Sequence, residues 1–223
     1  MPTAPKKTSK PRRNPSRRAA PFGFVVLVYR MPPAPNAARV AVWRQLKKVG
    51  AIYLQQSVCI FPDTAAVKAE LQPVLAKVRD SKGEFHLLPV ARLSAEETDK
   101  LVSQFVDQTA RHYAEIVENC EVNFQKEIEF ETFRRNFTYE EAEEIRAEYD
   151  KIAEWYERVR RRDWFSAPNR REAETWVRRC RQMLEGFEER VFAQQARGTE
   201  ARGRRVRPAP ARPPRPRALP SAS

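Results

Sequence analysis

Arginines crowd one short stretch of this chain. Arg158, Arg160, Arg161 and Arg162 close one apolar-periodic segment, Arg170 and Arg171 open the next, and the turn DWFSAPN separates them. Planar guanidinium forks and free helix N–H groups are what hold a tetrahedral dianion. The spacing therefore predicts an oxyanion site built from Arg158, Arg161, Arg162, Arg170 and Arg171. The plainer alternative is ion pairing with nearby carboxylates. A second basic group, Arg39, Arg44, Lys47 and Lys48, lies on one segment beside Val40, Trp43 and Leu46. On a helix Arg44, Lys47 and Lys48 share an exposed face, which suits contact with nucleic-acid phosphates. Lysines near a helix C-terminus also complement its dipole with no ligand at all.

Other chemistry is thinly represented. His86 and His112 are the two histidines, and neither sits in a CxxC or HxxxH spacing, so no metal site is expected. His86 is out of phase with Phe85 and Leu87 on a strand, His112 adjoins Tyr113 on a helix, and both read as structural. Cys59, Cys120 and Cys180 fall far apart in apolar stripes or strands. An odd, scattered set of this kind fits free, buried thiols in a reducing cytoplasm. With six glycines in the chain there is little room for a phosphate loop, and no GxSxG or paired-carboxylate signature occurs. The expectation is a non-enzymatic protein with no cofactor.

Regular elements must position those groups. FVVLVY is a continuous apolar run, as a strand buried on both faces requires, and MPPAP breaks it. Asn36 can cap a helix to Val49 with Val40, Trp43 and Leu46 inward, and Gly50 stops it. AIYLQ and VCIFP form a hairpin around Gln56-Ser57. Asp63 or Thr64 then starts a helix with Val67, Leu71, Val74 and Val78 inward, which Pro73 should kink or split. EFHLLPV is the fourth strand. The order βαββαβ predicts a ferredoxin-like unit over residues 21–93. Ser94-x-x-Glu97, Thr138-x-x-Glu141 and Asn169-x-x-Glu172 are three capping boxes, each followed by an apolar stripe. They predict three long helices over 94–196, packed as an antiparallel bundle, so the fold class is α+β.

The charge is partitioned. The 223 residues carry 42 Lys+Arg against 29 Asp+Glu, a formal +13. Residues 1–20 hold seven bases and no acid, and 196–223 hold eight arginines with one acid, leaving 21–195 at −1. The pI near 10.0 therefore belongs to the ends. Both tails, 1–20 and the Arg/Pro-rich 197–223, read as disordered. Arg12, Arg13, Arg17 and Arg18 in the first would add affinity for DNA without sequence choice. No apolar run reaches membrane length and no signal peptide is apparent, so no membrane partner is expected.

The run VVLVYRMPPAPNAARVAVWRQLKKVGAIYLQQSVCIFPDT resembles the N-terminal domain of chromate-resistance regulators of the ChrB type. RVRRRDWFSAPNRREAETWVRRC resembles the helical segment of the same family, and the likeness covers roughly residues 22–195. It implies a cytoplasmic bacterial transcriptional regulator that binds promoter DNA and responds to chromate or another oxyanion. Family members continue into a C-terminal domain, whereas here the Arg/Pro tail follows, which leaves sensing absent, altered or supplied by another chain. Long apolar stripes also suit a homodimer reading a two-fold operator. A weaker likeness runs to PaaX-type repressors and to CRISPR-associated ferredoxin-like nucleases. Such a nuclease needs an aspartate at the end of the first strand, where Val28-Tyr29-Arg30 stands. The competing class is a non-enzymatic accessory or protein-interaction subunit whose tails bind nucleic acid nonspecifically. A chromate reductase, which would need a flavin or nicotinamide site, is a distant third.

Overall fold

The computed structural model describes residues 22–33 and 36–205, with side chains through Arg197. Strands β1 (Phe24–Arg30), β2 (Ile52–Gln55), β3 (Val58–Pro62) and β4 (Glu84–Val90) alternate with helices α1 (Asn36–Val49) and α2 (Ala65–Asp80) as β-α-β-β-α-β. The sheet order is β2-β3-β1-β4, and each neighbouring pair is antiparallel. Helix α3 (Ala95–Glu118) passes through a π-helical turn (Asn119–Phe124) into α4 (Gln125–Arg134), and α5 (Tyr139–Arg161) and α6 (Arg170–Arg205) follow. The class is mixed α+β.

Central strand β1 sets the layering. Leu27 stands opposite Cys59 on one side and Leu87 on the other. Val25, Leu27, Tyr29, Cys59 and Phe61 meet the buried residues of α1 and α2, among them Leu46 and Leu71. Phe24 and Ile60 point the other way, onto Leu101 and Phe105 of α3. A strand covered on both faces needs apolar residues at successive positions, which explains the unbroken FVVLVY run.

Two elements near the sheet depart from expectation. In α1 the buried stripe is Val42, Leu46 and Val49, while Val40 and Trp43 are 42% and 48% exposed. The segment VAVW offers two competing apolar stripes, and packing on the sheet selects the one that continues to Val49. The rejected stripe faces solvent. In α2 the side chain of Thr64 caps at 3.2 Å from the Val67 N–H, and Val67, Leu71, Val74 and Val78 are all buried. Pro73 does not split this helix. Pro73 and Ala69, whose carbonyl lacks its usual donor, are both exposed, so water can serve the freed oxygen.

Ser94 and Thr138 cap as their boxes predict, accepting from the N–H groups of Glu97 at 3.1 Å and Glu141 at 3.2 Å. Asn169 does not. Its amide donates to the Ala110 carbonyl at 2.8 Å, and its Oδ1 is buried without a partner. A tertiary contact to α3 has displaced the local cap. The π-turn has an equally physical origin. Ile116, Cys120, Phe124 and Ile128 recur every four residues and are all buried. A four-residue step overshoots an α-helical turn by about 40°, and one wider turn absorbs that drift.

Tyr113 meets Tyr156, Phe124 meets Tyr149, and Arg146 bonds Glu188 at 2.8 Å. Helix α5 therefore runs opposite to the segment formed by α3 and the π-turn, and it is pinned to α6. Helix α6 continues past the expected boundary at residue 196 to Arg205. Ala, Arg and Glu favour helix there, and proline first returns at Pro208. Among the described residues no helix is long and apolar enough to cross a membrane.

Candidate nucleic-acid interface and anion cleft

Because Val42, Leu46 and Val49 are turned to the sheet, α1 presents Arg39, Arg44, Lys47 and Lys48 outward, and all four are exposed. Lys47 lies 5.2 Å above the Tyr53 ring, a cation–π contact. Arg39 donates to the Asn36 side chain. Val40 and Trp43 interleave this basic strip with apolar surface. Arg12, Arg13, Arg17 and Arg18 lie outside the described residues.

The end of α1 is held by the turn after α5. Arg162 Nη1 donates to the carbonyls of Lys47 at 3.0 Å and Lys48 at 3.2 Å, serving groups that a helix terminus leaves without donors. Its Nη2 lies 3.1 Å from His112 Nδ1. A guanidinium only donates, so Nδ1 accepts and the imidazole proton sits on Nε2. Burial, then the charges of Arg162, Arg111 and Lys47, push His112 down to about 4. Gly50, at φ 99°, lets the chain leave α1 against Trp164, and a Cβ there would stand 2.9 Å from Trp164 Cη2. Trp164 in turn meets Phe105 edge-on, with ring centroids 5.6 Å apart.

Asp163 anchors the same turn. Its side chain is 1% exposed and lies 3.9 Å from Arg170. It accepts from the Tyr113 hydroxyl at 3.3 Å and the Ala167 N–H at 2.8 Å. Burial, then the Asp163 charge, holds the Tyr113 hydroxyl above its ordinary pKa.

These contacts divide the arginine cluster. A cleft of about 340 Å³ between α1, α2 and the end of α5 is lined by Lys48, Arg158, Arg161 and Arg162, together with Gln45 and Glu70. Arg158 also pairs with Glu154 at 3.4 Å, and Arg161 is exposed. Arg170 and Arg171 are not among its walls. Arg170 faces Asp163, and Arg171 is exposed at the start of α6, its carbonyl accepting from the Thr175 hydroxyl. Three of the five candidate arginines thus share a cleft with Lys48, the residue it has in common with the basic strip. Arg162 serves two purposes there, since most of its donors already bind α1 and His112.

A family model described as Protein ChrB, N-terminal, matches residues 39–198. The chain belongs to this ChrB family. It is a family associated with regulation of chromate resistance, and its matched region begins at the first residue of the basic strip. No curated protein matches the chain.

Within this ChrB domain several site residues were not legible in the sequence. His112 and Asp163 owe their importance to partners 50 residues away. The surface position of Trp43 follows from the rotation of α1. The three cysteines are free and buried, and burial pushes the Cys59 thiol up to about 12. The Cys120 and Cys180 thiols interact with each other between the π-turn and α6. Among the described residues no group of three or more His, Cys, Asp or Glu side chains gathers as a metal site.

Proposed function

We propose that this ChrB-family chain is a DNA-binding transcriptional regulator of chromate resistance, cytoplasmic and homodimeric. In this proposal its βαββαβ unit is ferredoxin-like and its remaining helices form a three-helix antiparallel bundle. The observation that carries the reading is the outward strip Arg39, Arg44, Lys47 and Lys48 on a helix whose opposite face is locked to the sheet. Phosphates held by such a strip fix register on a duplex, and each one neutralised steepens the salt dependence.

The cleft supplies a route for an effector. An oxyanion drawn to Lys48, Arg158 and Arg161 competes for Arg162, whose bonds hold the last carbonyls of α1. Binding there would favour a state in which the strip is displaced, provided the anion prefers that state. The test is titration of the whole chain against its upstream promoter fragment and a scrambled control, at about 150 mM salt, with and without chromate. A regulator prefers its promoter by roughly 10³-fold or more. Arg44→Ala/Lys48→Ala lowers the salt slope by roughly 1.8 if both engage phosphate. Arg161→Ala abolishes the chromate response. Equal binding to both fragments would sink the proposal.

One observation favours the second reading, an accessory protein-interaction subunit. Phe130, Phe133, Tyr139 and Phe192 are all more than half exposed. Exposed aromatic surface of this kind marks association sites.

A further inference from the structure

We infer that the pocket between the first half of α1 and the β2–β3 hairpin binds a single nucleotide, either free or as an unpaired unit of a nucleic-acid strand. The pocket measures about 600 Å³, within the range of small-ligand sites. Trp43 and Tyr53 offer aromatic surface on its walls, and Arg30 and Arg39 stand at its rim. Among the described residues no carboxylate lines it, so the site favours an anion. Flat π-surface together with a guanidinium rim fits a heteroaromatic ring carrying a phosphate better than it fits a bare oxyanion.

The polar groups point to the same ligand. Tyr29 and Tyr53 join hydroxyl to hydroxyl at 3.2 Å, leaving donor and acceptor capacity for a ring edge. Burial raises the pKa of both hydroxyls, so both stay protonated at neutral pH. Gln56 and Ser57 at the hairpin tip add a side-chain amide and a hydroxyl. Ser57 holds a left-handed φ of 65°, and its carbonyl accepts from the Tyr29 N–H at 3.0 Å. The hairpin tip is thereby tied to the strand that carries Tyr29. Trp43 is available because Val42 and Leu46, not Trp43, fill the core.

The inference goes beyond the promoter reading and shares α1 and Arg39 with it. Arg44 and Lys48 do not line this pocket, so the two can fail separately. The full chain would be titrated calorimetrically with adenosine 5′-monophosphate, adenosine, inorganic phosphate, a single-stranded DNA ten-mer and the same ten-mer as a duplex. The monophosphate should bind at least tenfold more tightly than adenosine or phosphate alone. Trp43→Ala should weaken that binding about 5- to 150-fold, the factor for one stacked base, and Trp43→Phe should restore most of it. Arg44→Ala/Lys48→Ala should leave it unchanged. Monophosphate binding comparable to that of the ten-mer identifies a free nucleotide. Much tighter ten-mer binding that is lost in Trp43→Ala identifies an unpaired unit of a strand. Phosphate binding as tightly as the monophosphate, or Trp43→Ala leaving both the monophosphate and the ten-mer unaffected, overturns the inference. Trp43 is half-exposed, so the alanine variant should fold, which circular dichroism checks.

Discussion

His112 should make this protein lose stability in mild acid. Its folded pKa is about 4 against an ordinary histidine value of 6.5, the drop caused first by burial and then by Arg162, Arg111 and Lys47. Between those values the unfolded chain binds a proton that the folded chain refuses, so stability rises with pH. The stability is present above pH ~6.5 and lost as pH falls toward ~4, on the order of 2 kcal/mol in all once solvent screening of the half-buried ring is allowed for. About 1 kcal/mol of that disappears between pH 7 and pH 5. Glu127 and Glu141 act with the opposite sign, since burial raises their pKa and they gain protons in the folded state first. His112→Gln keeps both carboxylates and removes only the imidazole. Urea denaturation of both proteins at pH 7 and pH 5 therefore isolates the histidine as a difference of about 1 kcal/mol. Arg162→Ala should narrow the window by removing the nearest cation. In a His86→Asn background, the His112 ring resonance should then titrate at a higher pH. A wild-type protein that loses no more stability than His112→Gln over this range would refute the reasoning.

Other consequences follow from the same contacts. Gly50→Ala places a Cβ 2.9 Å from Trp164 at a left-handed φ of 99°. It should cost about 1–3 kcal/mol, read as a lower denaturant midpoint with an unchanged slope. Asp163→Ala strands the Tyr113 hydroxyl and the Ala167 N–H and unpairs Arg170. Thermal unfolding should show a loss of about 3 kcal/mol. Pro73→Ala restores a helix donor at an exposed position of α2. It should stabilise by about 1–3 kcal/mol, and a lower melting temperature would count against the account of that helix.

Much of this architecture is written locally. Ser94 and Thr138 cap because a hydroxyl can reach an N–H three residues ahead whatever surrounds it. The limits of β3 and β4 follow from apolar runs bounded by turn residues, and the burial of Leu71 or Tyr156 follows from helical period. The basic strip was legible too, because charges on a helix stay near its surface. The rotational choice of a helix and the long-range partner of a side chain come instead from packing between distant elements. Segment VAVW could bury either of two stripes, and contact with β1 and β3 chose Val42 and Leu46, leaving Trp43 outside. Asn169 had a cap available and instead bonded Ala110. Arg162 and Arg170 lie eight residues apart in one basic stretch, yet one was drawn to the end of α1 and the other to Asp163. A charge pattern shows which groups are available to bind. Which carbonyl or carboxylate they bind depends on elements brought together by burying apolar surface, and that information is spread over the whole chain.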